Sequence, residues 1–178
     1  MADLLRSMNA HVDMYLMATW SRADETYPAK GAWAGQPIEA MARDVRAAYD
    51  KAAVPADAKA VIPVGEAFTR AIQTGVADAN PYDGIDAGKL NLWTYDNYHA
   101  STYGYYLEAL VIFGNVTGRD PRTLGQNECS AYELGLSRNE AKALQQVAFD
   151  QLASSGAVTA APPAAPKAGA PQRCVAGR

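Results

Sequence analysis

Two short β-forming runs, residues 12–19 and 59–64, are each followed by a stretch whose apolar residues recur at helical spacing. That order constrains the fold more than any other feature. Parallel strands cannot be joined by a tight turn, so strand, helix, strand, helix folds as a parallel α/β layer with helices crossing the sheet. After the first run, apolar positions at Ile38, Met41, Ala42, Val45, Ala48 and Tyr49 predict an amphipathic helix ending by Pro55. After the second, Gly65 opens a helix with Phe68, Ala71 and Ile72 on one face, and Gly75 stops it. Residues 1–10 read as the end of a helix, with Leu4, Leu5 and Met8 on one side.

Two later helices carry their own start signals. Ser101 or Thr102 can cap one whose core face is Tyr103, Tyr106, Leu107, Leu110, Val111 and Gly114. Ser137-Arg138-Asn139-Glu140 is a capping box, and it begins a helix with Leu144, Val147, Ala148 and Leu152 on one face. The domain is expected to span 1–155. In 156–178, 15 of 23 residues are Ala, Pro or Gly, too few large apolar groups to offset chain entropy, so this segment is expected to be a disordered tail or linker.

A chain of 178 residues, 49% hydrophobic and 20% charged, is long enough to bury a sizeable core. A net charge of −3 and scattered Lys and Arg provide no basic field, which excludes a nucleic-acid partner. No stretch approaches the roughly 20 apolar residues of a membrane span. The first residues lack a positive region followed by an apolar run, so they do not form a signal peptide, and localisation stays open. Cys129 and Cys174 form neither a Cys-x-x-Cys pair nor a disulfide framework, and leave the redox compartment undetermined. Two His and two Cys show no metal-ligand spacing, and no cofactor is expected.

The chemistry concentrates in residues 93–121, where Asp96 and His99 precede the Ser101 helix. An Asp three residues ahead of a His on such a loop can fold back on the imidazole, fix its tautomer and stabilise its cation. The other histidine, His11, has only Asp13 nearby and reads as structural.

The run Asp96-x-x-His99-Ala100-Ser101-x-x-Gly104-x-Tyr106-Leu107-x-Ala109, followed by Val116-Thr117-Gly118-Arg119-Asp120-Pro121, resembles the last conserved block of the SGNH (GDSL-like) hydrolases, and within them a bacterial SGNH-like group. The resemblance covers residues 12–152. It implies a flavodoxin-like, three-layer α/β sandwich, acyl-ester hydrolysis on a small-molecule or carbohydrate substrate, His99 as general base and Asp96 as its orienting acid. The family's Gly-Asp-Ser nucleophile block and its Gly-x-Asn-Asp oxyanion block do not occur, since the chain has no Gly-Asp and no Asn-Asp pair. The chain is therefore expected to be the C-terminal part of such a hydrolase, with the N-terminal strands missing, and nearly inert alone. A ligand-binding or scaffold module derived from that fold is the alternative. A partial sheet leaves an unpaired edge, so self-association is also expected.

Directly after the first strand, Trp20 and Arg22 fall on the rim where open α/β sheets bind ligands. The indole could stack on a sugar or acyl group, with the guanidinium holding a carboxylate or carbonyl. Alternatively, a half-buried Trp20 anchors the loop and Arg22 pairs with Asp24 or Glu25. Asp78, Asn80, Asp83 and Asp86 suggest a calcium loop, but Gly84 is one place late and Lys89 stands where the closing carboxylate belongs; a solvated turn is expected. Ser101 lies two residues from His99, yet as a helix cap its hydroxyl is committed to backbone N–H groups and is not available as a nucleophile.

Overall fold

The computed structural model describes residues 1–159. In chain order its elements are α1 (Ala2–Met8), β1 (Tyr15–Ala18), α2 (Ala23–Thr26), α3 (Ile38–Ala56), β2 (Ala60–Pro63), α4 (Val64–Gln73), α5 (Thr102–Thr117), a 3-10 turn (Pro121–Leu124), α6 (Cys129–Glu133) and α7 (Arg138–Ser154). The protein is thus mixed helix and strand, with a small, all-parallel two-stranded sheet. The register pairs Tyr15 with Ala60 and Ala18 with Pro63, and α3 makes the crossover.

Both strands are shorter than the β-forming runs that predicted them. Pro63 closes β2 because it has no N–H for the ladder, and its φ of −86° instead leads into α4 at Val64. Helix α3 runs one residue past the stop expected at Pro55. A proline in the last turn forgoes a single hydrogen bond, and Asp57, left-handed at φ 47°, ends the helix. Arg6 then caps the exposed carbonyls of Ala56 and Asp57, holding α1 against the negative end of α3.

The core lies between α4, α5 and α7. Leu107, Val111, Leu144 and Leu152 are each fully buried, and Phe68 of α4 closes the cluster toward β1. The capping box at Ser137 forms as expected, the Ser137 N–H donating to Glu140 Oε2 at 2.6 Å. Glu140 Oε1 also accepts from the Tyr103 hydroxyl at 3.1 Å, so the cap of α7 fastens the start of α5. The packed unit extends past the boundary expected at 155: Val158 is 3% exposed and faces Gly114, where a side chain would strike Leu152. Composition misplaced the edge because one Val in a small-residue run is enough to fill a notch between two helices. The rest of the expected tail, 160–178 with Cys174, lies outside the described residues.

The turn expected to be solvated is anchored from within. Asp78 is buried, its two carboxylate oxygens accepting the N–H groups of Asn80 and Asp86 at 2.9 Å each. Burial alone would raise its pKa; those N–H groups and Lys89 outweigh burial, and the net shift is downward. The Tyr27 hydroxyl donates to Ala79 O beside this turn, and burial first, then Asp83 and Asp78, push the phenol up to about 12. Among the described residues, no helix is long and apolar enough to cross a membrane.

Candidate functional site

Asp96 and His99 sit in a tight hairpin built on residues 92–101. The buried side chains of Leu92, Trp93 and Ala100 form its base. Trp93 and Ala100 bridge antiparallel, Thr94 N–H donates to His99 O at 2.8 Å, and Ser101 N–H donates to Leu92 O at 2.8 Å. Asn97 takes the left-handed conformation the tip requires, with φ 58°, a region that Asn tolerates better than most residues.

Asp96 is the organising group. Its Oδ1 accepts the Thr94 hydroxyl at 2.6 Å, the Tyr98 N–H at 3.0 Å and the His99 N–H at 2.9 Å. Its Oδ2 lies 2.6 Å from His99 Nδ1. Donation by Thr94, then by the imidazole, then by the two backbone groups holds the carboxyl well below the usual carboxylate range. An ionised Asp96 at Nδ1 favours the tautomer whose proton sits there, which leaves Nε2 as the basic nitrogen. The His99 side chain is 57% exposed.

The hairpin is stitched to the carboxyl end of β1 in both directions. Trp20 donates its indole N–H to Tyr98 O at 2.9 Å, and Trp93 donates its own to Ser21 O at 2.9 Å. Asp24 N–H adds a bond to Asn97 O at 3.2 Å. Trp20 stacks on Phe68, ring centroids 5.2 Å apart, and meets the edge of Tyr105. Two glycines permit this closeness. A Cβ on Gly65 would lie 2.3 Å from Thr19 O, and one on Gly104 would lie 2.5 Å from Leu92 O.

All four residues singled out in the sequence therefore converge on the strand rim. Of the two expectations for Trp20 and Arg22, the anchoring geometry is what the structure displays. The Arg22 guanidinium makes two bonds to Asp24, Nε–Oδ1 at 3.1 Å and Nη2–Oδ2 at 2.6 Å, and stands 3.4 Å from Glu25. Its Cζ stands over the Tyr98 ring, 4.0 Å from the centroid. Ser101 caps α5, accepting from Gly104 N–H while donating to Asn91 O at 2.7 Å, as its role as a cap required.

Thr94 and Tyr98 belong to the site but received no role from the sequence. Their signal was present: a Thr two residues before an Asp, with a Tyr directly before the His. Only a folded-back loop turns those adjacencies into contacts. Among the described residues, no group of three or more His, Cys, Asp or Glu converges to hold a metal. A groove of about 490 Å³ between α3 and α4, lined by Arg43, Arg46 and Glu66 among others, includes none of the four residues. No family model, curated protein or solved structure matches the chain.

Proposed function

We propose that this chain is the C-terminal portion of an SGNH-type serine esterase acting on acyl esters of small molecules or carbohydrates, with Asp96 and His99 as its orienting acid and general base. The observation that carries the reading is the 2.6 Å contact of Asp96 Oδ2 with His99 Nδ1, on an exposed hairpin fastened to the end of a parallel strand. In this scheme a Ser hydroxyl from a segment outside these 178 residues attacks the ester carbonyl. His99 Nε2 takes the hydroxyl proton, Asp96 stabilises the imidazolium, and the proton passes to the departing alkoxide. Water then attacks the acyl-enzyme with His99 as base, the acyl–Ser bond breaks to release the acid, and His99 returns the proton to the Ser oxygen. The finer fold follows the same proposal: β1 and β2 would be two strands of a flavodoxin-like three-layer sandwich, whose ligands bind at the carboxyl ends of the strands.

The test is hydrolysis of p-nitrophenyl acetate by the product that joins this chain to the in-frame sequence upstream of Met1. His99→Ala is expected to lower the rate about 100- to 10,000-fold, the span of general-base catalysis. An unchanged rate refutes the assignment.

A second reading, a ligand-binding module without turnover, is favoured by the aromatic surface around His99. Tyr95 is 98% exposed, and Tyr98 and Tyr105 are exposed beside the half-buried Trp20. Acyl sugars that bind, quench Trp20 fluorescence and are not hydrolysed would select it.

Self-association also fits, because among the described residues each strand has one hydrogen-bonded neighbour and one open edge. Light scattering that shows a monomer at every concentration would exclude it.

A further inference from the structure

We infer that Arg22 and Tyr98 are positioning residues for the His99 imidazole: the guanidinium sets the Tyr98 ring, and that ring sets the imidazole. The inference rests on the proposed role of His99 only for its consequence in turnover. The stack itself belongs to the resting protein.

An imidazole that is 57% exposed has few neighbours to hold it. One is Asp96 at Nδ1, and a single hydrogen bond still lets a ring swing about its own axis. The second is the Tyr98 ring, whose centroid is 4.3 Å from that of His99 at an interplanar angle of 43°. Contact at the ring removes the freedom the hydrogen bond leaves.

Tyr98 needs support of its own, since it too is exposed. Its backbone is fixed at both polar atoms, N–H to Asp96 Oδ1 and carbonyl to the Trp20 indole. The Arg22 guanidinium stands over its ring, held in place by the paired bonds to Asp24, with Glu25 adding charge from the same helix. A forked guanidinium can stand over a ring while making two parallel bonds to one carboxylate; the ammonium of Lys has no fork to reproduce that pair. The order Asp24, Arg22, Tyr98, His99 thus runs from the first turn of α2 to the base. Trp20 and Asp24 brace the same hairpin through Tyr98 O and Asn97 O.

The test reads the imidazole directly. In ¹⁵N NMR of the chain, His99 is expected to be mainly the Nδ1–H tautomer when neutral. Arg22→Gln and Tyr98→Leu should move it toward the mixed population of free imidazole. Tyr98→Phe, which keeps the ring, should restore the wild-type pattern, and Arg22→Lys should not. The backbone amides of Leu144 and Leu152 in α7, on the α5–α7 side of the core, report that the fold is intact.

If Arg22→Gln fails to fold, the comparison of Tyr98→Leu with Tyr98→Phe decides. Identical nitrogen shifts in those two variants, or in folded Arg22→Gln and wild type, overturn the inference. In the ester-hydrolysing product, Arg22→Gln should lower kcat by roughly tenfold to a hundredfold with little change in KM, the cost of a misplaced reacting group. A raised KM with unchanged kcat and an unchanged tautomer would make Arg22 a substrate contact, which also overturns it. Failure of the esterase reading is a separate result: His99→Ala would leave hydrolysis unaltered while the tautomer shifts remain.

Discussion

Replacing Trp93 with Phe removes the one indole donor that runs from the hairpin into the loop after β1. Trp93 is 2% exposed, and its N–H lies 2.9 Å from Ser21 O in buried surroundings. Deleting a donor to a buried carbonyl costs about 1–3 kcal/mol, because the acceptor loses its partner without regaining water. The smaller ring leaves part of the site unfilled, adding roughly 1 kcal/mol if the walls relax partly. A total loss of about 2–4 kcal/mol follows from these two contributions. For a domain of this size that lowers the melting temperature by roughly 4–16 °C.

Trp20→Phe provides the internal comparison. Its hydrogen bond to Tyr98 O lies at the exposed rim, and the Phe68 stack survives, so the cost should stay near 0.5–1.5 kcal/mol, as for an ordinary hydrogen bond. Urea unfolding followed by circular dichroism measures both variants without depending on the fluorescence that either removes. A Trp93→Phe protein within about 0.5 kcal/mol of wild type, the range of neutral surface changes, would refute the claim that this bond is buried and structural.

Other expectations follow from the same contacts. Ser21→Ala should stabilise the fold, by up to about 1–2 kcal/mol in denaturant melts, because Ser21 Oγ is buried without a hydrogen-bond partner. Gly104→Ala should cost roughly 1–3 kcal/mol despite the better helix propensity of Ala, since its Cβ would meet Leu92 O at 2.5 Å and Phe68 Cζ at 2.9 Å. Leu144→Ala, fully buried between α5 and α7, should cost about 2–5 kcal/mol, whereas Tyr132→Ala, 71% exposed, should stay within about 0.5 kcal/mol. Asp96→Asn should flatten the acid limb of the stability profile. A carboxyl held below its unfolded pKa stabilises fully above that pKa, near 3.9, and loses the contribution as pH falls through its folded value. Urea midpoints from pH 6 to pH 2 that fall equally in both proteins would contradict the Asp96 assignment.

Local pattern alone determined α3, α4, α5 and α7, the caps at Ser101 and Ser137, and the pairing of Asp96 with His99; it did not show the short α6. Each depends on groups within four residues of one another, where backbone geometry leaves few alternatives. The parallel order of the strands also followed, because each run was separated from the next by a helix-length crossover. What only the tertiary structure decided is where distant segments touch. Trp20 and Tyr98 are 78 positions apart, and Ser21 and Trp93 are 72 apart, so no periodicity could reveal that two indoles bind the hairpin to β1 in opposite directions. The same holds for Val158, which the tail's composition hid, and for Asp78, whose carboxylate is buried because its partners are backbone N–H groups. Arg22 could have faced a ligand or its own helix. Its fork settled on Asp24 with the cation over the Tyr98 ring, because carboxylate and ring together satisfy its charge.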